Sequence, residues 1–166
     1  MPYLITEINR MSQEEFVNVL GTVFEDTPAI AHQVWNQRPF TNVAELHLCM
    51  VNLVKAMSRD EQLALIQAHP DLGSKAKMAE ASVKEQAGVG LAQLSQEEYE
   101  RFQSLNRAYK EKFGFPFIVA VKNHTKSTIL GTFEHRLENP VEVEMEQALT
   151  EIAQIAGFRL VQLVKE

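Results

Sequence analysis

The chain has 166 residues, 45% of them hydrophobic and 23% charged, a balance that suits one folded domain and excludes disorder as the main state. Sixteen Lys and Arg against 22 Asp and Glu give a net charge of −6, and no basic block offsets it, so a nucleic-acid partner is not expected. The single cysteine, Cys49, excludes an internal disulfide and suits a reducing compartment.

Helical signals dominate the chain. Four Ser-x-x-Glu patterns occur, at Ser12 to Glu15, Ser58 to Glu61, Ser82 to Glu85 and Ser95 to Glu98. Each has the form of a capping box, in which the serine oxygen accepts from an orphan backbone N–H and the glutamate reaches back. After the first, Phe16, Val19, Leu20 and Val23 fall on one helical face. Asn42 opens a second helix whose stripe is Val43, Leu46, Met50, Leu53, Val54 and Met57. A short helix is expected from Arg59 to Ala68, stopped at His69-Pro70 because the residue before proline disfavours helical angles. Asp71 to Leu94 reads as the loosest region. After Ser95, the residues Tyr99, Phe102, Leu105, Tyr109 and Phe113 recur at three- and four-residue spacing and read as core, or as a subunit interface.

Phe117-Ile118-Val119-Ala120-Val121 is the one β-favouring run. One run makes no sheet, so it is read as a buried helix or as an extended segment lining a cavity. Pro140 starts a last helix running to about Lys165, with Leu149, Ile152, Ile155, Ala156, Leu160 and Leu163 inward. No linker or repeat divides the chain. The expectation is a single all-α domain over residues 1–166, a bundle of about seven or eight helices.

His69 leads the candidates for chemistry. An imidazole with an ordinary pKa of about 6.5 can shuttle protons near neutral pH, and at a helix end it can equally serve the helix dipole. Glu85 reads as the capping partner of Ser82 and also as a carboxylate near a helix start, where free N–H groups can hold an anion. Gln86 supplies a donor and an acceptor, and Lys84 reads as solvated. Arg159 lies on the face of Ile152, Ala156 and Leu163, so it must snorkel outward, pair with a buried acid or bind an anionic ligand. Arg136 is a competing anion clamp, although Glu134 and Glu138 nearby explain it as a solvated ion pair. No His pair at helical spacing and no Cys pair occurs, so a common metal site is not expected. Gly88-Val89-Gly90 lacks the third glycine and the preceding strand of a dinucleotide fingerprint. Cys49 reads as a small core residue. Met1 to Arg10 has no signal-peptide pattern, no apolar run reaches the length of a membrane span, and Val164-Lys165-Glu166 is not a peroxisomal tripeptide. The expected location is cytoplasmic.

Four blocks, His69-Pro70-Asp71-Leu72, Ser82 to Gln86, Gly114-Phe115-Pro116-Phe117-Ile118 and Glu151-Ile152 through Arg159-Leu160, stand in an order that resembles the 2-oxo-4-hydroxy-4-carboxy-5-ureidoimidazoline (OHCU) decarboxylase family. The likeness runs from about residue 10 to residue 163. It implies an all-α enzyme without a cofactor, a homodimer, and a last step of urate degradation that turns OHCU into (S)-allantoin and carbon dioxide. It also implies roles: His69 as the catalytic histidine and Glu85 as its partner carboxylate. Pro70, Ser82, Val83, Lys84, Gln86, Arg159 and the segment Phe117, Ile118, Val119, Ala120 and Val121 are implied to contact substrate. Two alternatives stay open: a non-catalytic helical module that binds through its aromatic stripe, and a cofactorless lyase or isomerase acting on another ureido carboxylate.

Overall fold

Hydroxyl and amide side chains open the helices where the capping patterns place them. The computed structural model describes residues 2–72, 85–88, 90–91 and 94–166. Among the described residues it has a helical segment at 85–88 and the α-helices α1 (Ile5–Arg10), α2 (Gln13–Leu20), α3 (Ala29–Val34), α4 (Val43–Lys55), α5 (Arg59–Gln67), α6 (Gln96–Phe113), α7 (Lys126–Arg136) and α8 (Val141–Leu163). Ser12 Oγ accepts from Glu15 N at 3.2 Å and Asn42 Oδ1 from Glu45 N at 2.8 Å. Ser58 and Ser95 form full capping boxes with Glu61 and Glu98. The Ser82 to Glu85 pattern lies partly outside the described residues. The helical class expected from periodicity is borne out. The exception is a two-residue parallel ladder of β1 (Tyr3–Leu4) with β2 (Val164–Lys165), so the last helix ends at Leu163, two residues earlier than expected.

The chain falls into two compact units, residues 1–65 with 153–166, and residues 66–152. In the first, α3 packs against α2 and α4 around Phe16, Leu20, Ile30, Val34, Leu46 and Met50. Gly157 lets α8 approach α4. A Cβ there would stand 3.3 Å from the His47 ring, whose Nε2 donates to Ala153 O at 2.8 Å. Cys49 is half-buried, less enclosed than expected, and burial pushes its thiol pKa up, with Glu45 adding to the effect.

In the second unit α6 packs against α7. Tyr109 stands at the middle of an aromatic core, with ring centroids 4.4 Å from Phe113, 5.9 Å from Phe115, 5.4 Å from Phe117 and 5.9 Å from Phe133. The stripe on α6 is therefore core, with only Tyr99 half-buried, and an exposed aromatic docking face on that helix is excluded. Helix α7 carries no clean apolar stripe because Arg136 shares its inward face with Ile129 and Phe133, which hid it from periodicity.

Candidate active site

The turn that carries His69 is made locally and then gripped by α6. Helix α5 stops at Gln67, and His69 N donates to Ile66 O at 3.2 Å before Pro70 turns the chain away. Asn106 Nδ2 donates to Leu72 O at 2.9 Å. One turn further along α6, Lys110 Nζ donates to Asp71 Oδ2, also at 2.9 Å. Gln67 Nε2 donates to Gly114 O at 3.1 Å and ties the end of α5 to the end of α6. Gly114, at φ 79°, is the left-handed cap that ends α6 and aims Phe115 and Pro116 back. These pieces border an open hollow of about 270 Å³, lined by Gln67, His69, Lys110, Gly114, Phe115 and Pro116. His69 is 9% exposed, so its imidazole sits at the boundary between protein and cavity.

The β-favouring run that follows is buried, and from Phe117 to Ala120 it is neither helix nor strand. Phe117 to Val121 are all buried, Ala120 has extended angles, and a 3₁₀ turn over Val121–Asn123 ends the segment. Two buried charged groups hold it. Arg136 Nη1 donates to Ile118 O at 2.6 Å, and its guanidinium lies 4.4 Å from the Phe117 ring centroid. Ala120 N donates to Glu151 Oε1 at 3.0 Å, while Gln147 Nε2 secures Glu151 Oε2 at 3.0 Å.

Arg136 also pairs through Nε with Glu144 Oε1 at 2.8 Å, and Glu144 accepts from Tyr109 Oη at 2.6 Å and from Asn139 Nδ2 at 2.8 Å. The expectation of a solvated pair with Glu134 or Glu138 is corrected here. Glu134 pairs with Arg101, and the partner of Arg136 is a fully enclosed carboxylate on α8. Burial, followed by the hydrogen bond to Glu144, pushes the Tyr109 hydroxyl far above the usual tyrosine range. Sequence reading missed Glu144 and named Glu151 only as the start of a family block, with no role. The signal was available, since both fall seven apart on the face that carries Met145, Ala148 and Ile152, and the test applied to Arg159 would have marked them.

Glu85 is half-buried and Gln86 buried on the helical turn at 85–88, closed by Leu91 N donating to Gln86 O at 2.9 Å. Ser82, Val83 and Lys84 lie outside the described residues. Arg159 belongs to the first unit and has the second of its three possible fates: Nη1 pairs with buried Glu25 Oε2 at 2.9 Å and approaches Thr22 O at 3.3 Å and Val23 O at 3.4 Å. It does not snorkel. Among the described residues no group of three His, Cys, Asp or Glu is placed to share a metal ion, and no helix is long and apolar enough to cross a membrane.

Comparison with known proteins shows the family. The sequence profile of the OHCU decarboxylase family matches residues 9–161, which spans both units. A 2-oxo-4-hydroxy-4-carboxy-5-ureidoimidazoline decarboxylase from Halalkalicoccus jeotgali is 40% identical over 159 residues, covering 96% of this chain and 90% of the relative. The uric acid degradation bifunctional protein PucL of Bacillus subtilis is 43% identical over 164 residues, covering 99% of this chain and 33% of that longer protein. A crystal structure of (S)-allantoin synthase superposes with a TM-score of 0.82 at 29% identity, covering 99% of this chain and 54% of that one. The match to the family profile and the near full-length likeness to a named relative place this chain in the OHCU decarboxylase family.

Proposed function

We propose that the chain decarboxylates OHCU to (S)-allantoin and carbon dioxide, with His69 as the group that handles protons and Glu85 as its partner. The observation that carries this reading is the family profile over residues 9–161; the hollow beside the His69-Pro70 turn supports it, and of the proposed site residues that the structure describes His69 alone lines that hollow. The bond from the ring to the carboxylate breaks, and its electron pair passes through the adjacent ring carbon into the C=N bond. Carbon dioxide leaves and the ring nitrogen takes a proton. The hydroxyl beside the lost carboxylate then becomes a carbonyl as it gives up its proton. The ureido-bearing carbon gains one on a single face, and that choice of face sets the S configuration. The substrate thus holds its own electron sink, and the reading requires no cofactor.

His69 acts on the hydroxyl and the enediol-like intermediate. Such acid–base assistance is worth about 10² to 10⁴-fold. Pro70, Ser82, Val83, Lys84, Gln86 and the backbone from Phe117 to Val121 are proposed to orient the ureido and ring groups. Arg159 keeps its pair with Glu25 and is also proposed, on the strength of the family resemblance, as a charge-assisted donor to the anion. The two units are read as one catalytic domain because the family profile runs through both. The assembly is read as a homodimer, which sedimentation velocity tests. The cytoplasm is the proposed location, in keeping with the lone thiol of Cys49.

The test replaces His69 with Asn or Ala, verifies folding by circular dichroism, and follows freshly generated OHCU. The substrate also decays unaided, so the chirality of the allantoin is the readout. Racemic product at the spontaneous rate is expected from the variants. Unaltered stereospecific turnover would remove His69 from the reaction.

A further inference from the structure

We propose that Lys110 is a substrate-binding residue, the cation on the cavity wall that takes the carboxylate of the incoming anion. This rests on the decarboxylase reading and adds to it a residue that the four sequence blocks do not contain. Lys110 lines the hollow together with His69, and among the described residues the others that line it, Gln67, Gly114, Phe115 and Pro116, are uncharged. An ammonium group has three donors, and Asp71 takes one of them at 2.9 Å. The pair is not desolvated, with side-chain exposures of 50% for Lys110 and 23% for Asp71. An ion pair in contact with water is weak and exchangeable, so the ammonium can turn part of its hydrogen bonding to a ligand without stranding a buried carboxylate.

The position of the cation is set by the fold. Asn106, one turn before Lys110 on α6, holds Leu72 O, and Lys110 holds Asp71. One helix face therefore fixes the His-Pro-Asp-Leu turn and carries the ammonium beside it. Electrostatics supplies the reason for a local cation. The chain has a net charge of −6, and its general field repels an anionic substrate. A positive group at the cavity offsets that repulsion where the substrate enters. The carboxylate carries its full charge in the bound substrate and loses it as carbon dioxide forms, so the contact lowers KM and does not lower the barrier from that complex.

The experiment compares wild type, Lys110→Met, Lys110→Arg and Asp71→Asn in OHCU turnover at low and high ionic strength. Lys110→Met is expected to raise KM about fivefold with kcat no lower than that of wild type, and to flatten the salt dependence of kcat/KM. Lys110→Arg restores both. Asp71→Asn keeps the ammonium, so its KM stays at or below the wild-type value and its salt dependence persists. An unchanged KM in Lys110→Met, or the same defect in Asp71→Asn, would overturn the assignment, the second by showing that the ion pair acts only as a structural tie. A wild-type protein without turnover would overturn the decarboxylase reading and this proposal with it. An active wild type with an indifferent Lys110→Met removes Lys110 alone.

Discussion

Glu151 accepts the backbone amide of Ala120 at 3.0 Å, and both groups are out of water. A carboxylate on α8 thereby replaces the strand partner that the segment Phe117 to Val121 lacks. A β-favouring run can stay extended in a helical protein only if its polar backbone groups find partners elsewhere. Glu151 supplies one such partner and Arg136 another, through Ile118 O.

Replacing Glu151 with Leu leaves the Ala120 amide buried and unpaired, at a cost of about 1–3 kcal/mol. A chain of this size loses about 2–4 °C of melting temperature per kcal/mol. Glu151→Gln keeps an acceptor oxygen and should lose less. Thermal melts of the two variants check this, and an equal loss in both would show that the hydrogen bond is not the cause.

Arg136 and Glu144 form a pair with side-chain exposures of 5% and 0%. Removing one member strands the other, so Arg136→Met should cost about 3–5 kcal/mol. Replacing both, as Arg136→Met with Glu144→Met, should cost less than the sum of the single changes, because neither charge is then left alone. Urea denaturation of the double-mutant cycle measures the coupling.

The raised pKa of Tyr109 carries a pH signature. A group whose pKa is higher folded than unfolded gives its full stabilisation below the unfolded value. It loses that contribution as pH rises above about 10, where the unfolded tyrosine ionises. Stability of the wild type should therefore fall on the alkaline side of pH 10. Tyr109→Phe removes this term and should flatten the decline, although it is less stable at neutral pH because Glu144 loses a donor. Denaturation midpoints against pH for the two proteins decide it.

Gly114 stands at φ 79°, and a Cβ added there would meet no heavy atom within 4 Å. Any penalty at this position is therefore conformational. Gly114→Ala should cost about 1–2 kcal/mol, and Gly114→Asn less, because Asn tolerates left-handed angles. Both report on the turn that forms one wall of the His69 cavity. Chemical denaturation gives the order, and an alanine variant as stable as wild type would contradict it.

The helical class, the serine-capped starts of α2, α5 and α6, and the stop before His69 were legible in the chain because their causes are local. A capping oxygen reaches three residues, a proline constrains its neighbour, and an apolar stripe repeats every turn. The family blocks were legible for a different reason, since they are matched as strings without reference to distance. The partners of Arg136 and Arg159 were not legible. Glu144 lies eight residues from Arg136 and Glu25 lies 134 residues from Arg159, and only packing brings each pair together. The same holds for the non-helical state of Phe117 to Ala120. Propensity left helix and extended segment open there, and the outcome turned on buried partners from α7 and α8. By itself, then, the sequence determined where the capped helices α2, α4, α5 and α6 begin and which residues could carry chemistry. Tertiary structure decided which charges are satisfied internally and which, like Lys110, face a cavity. Side-chain periodicity records burial but not the identity of the group on the far side.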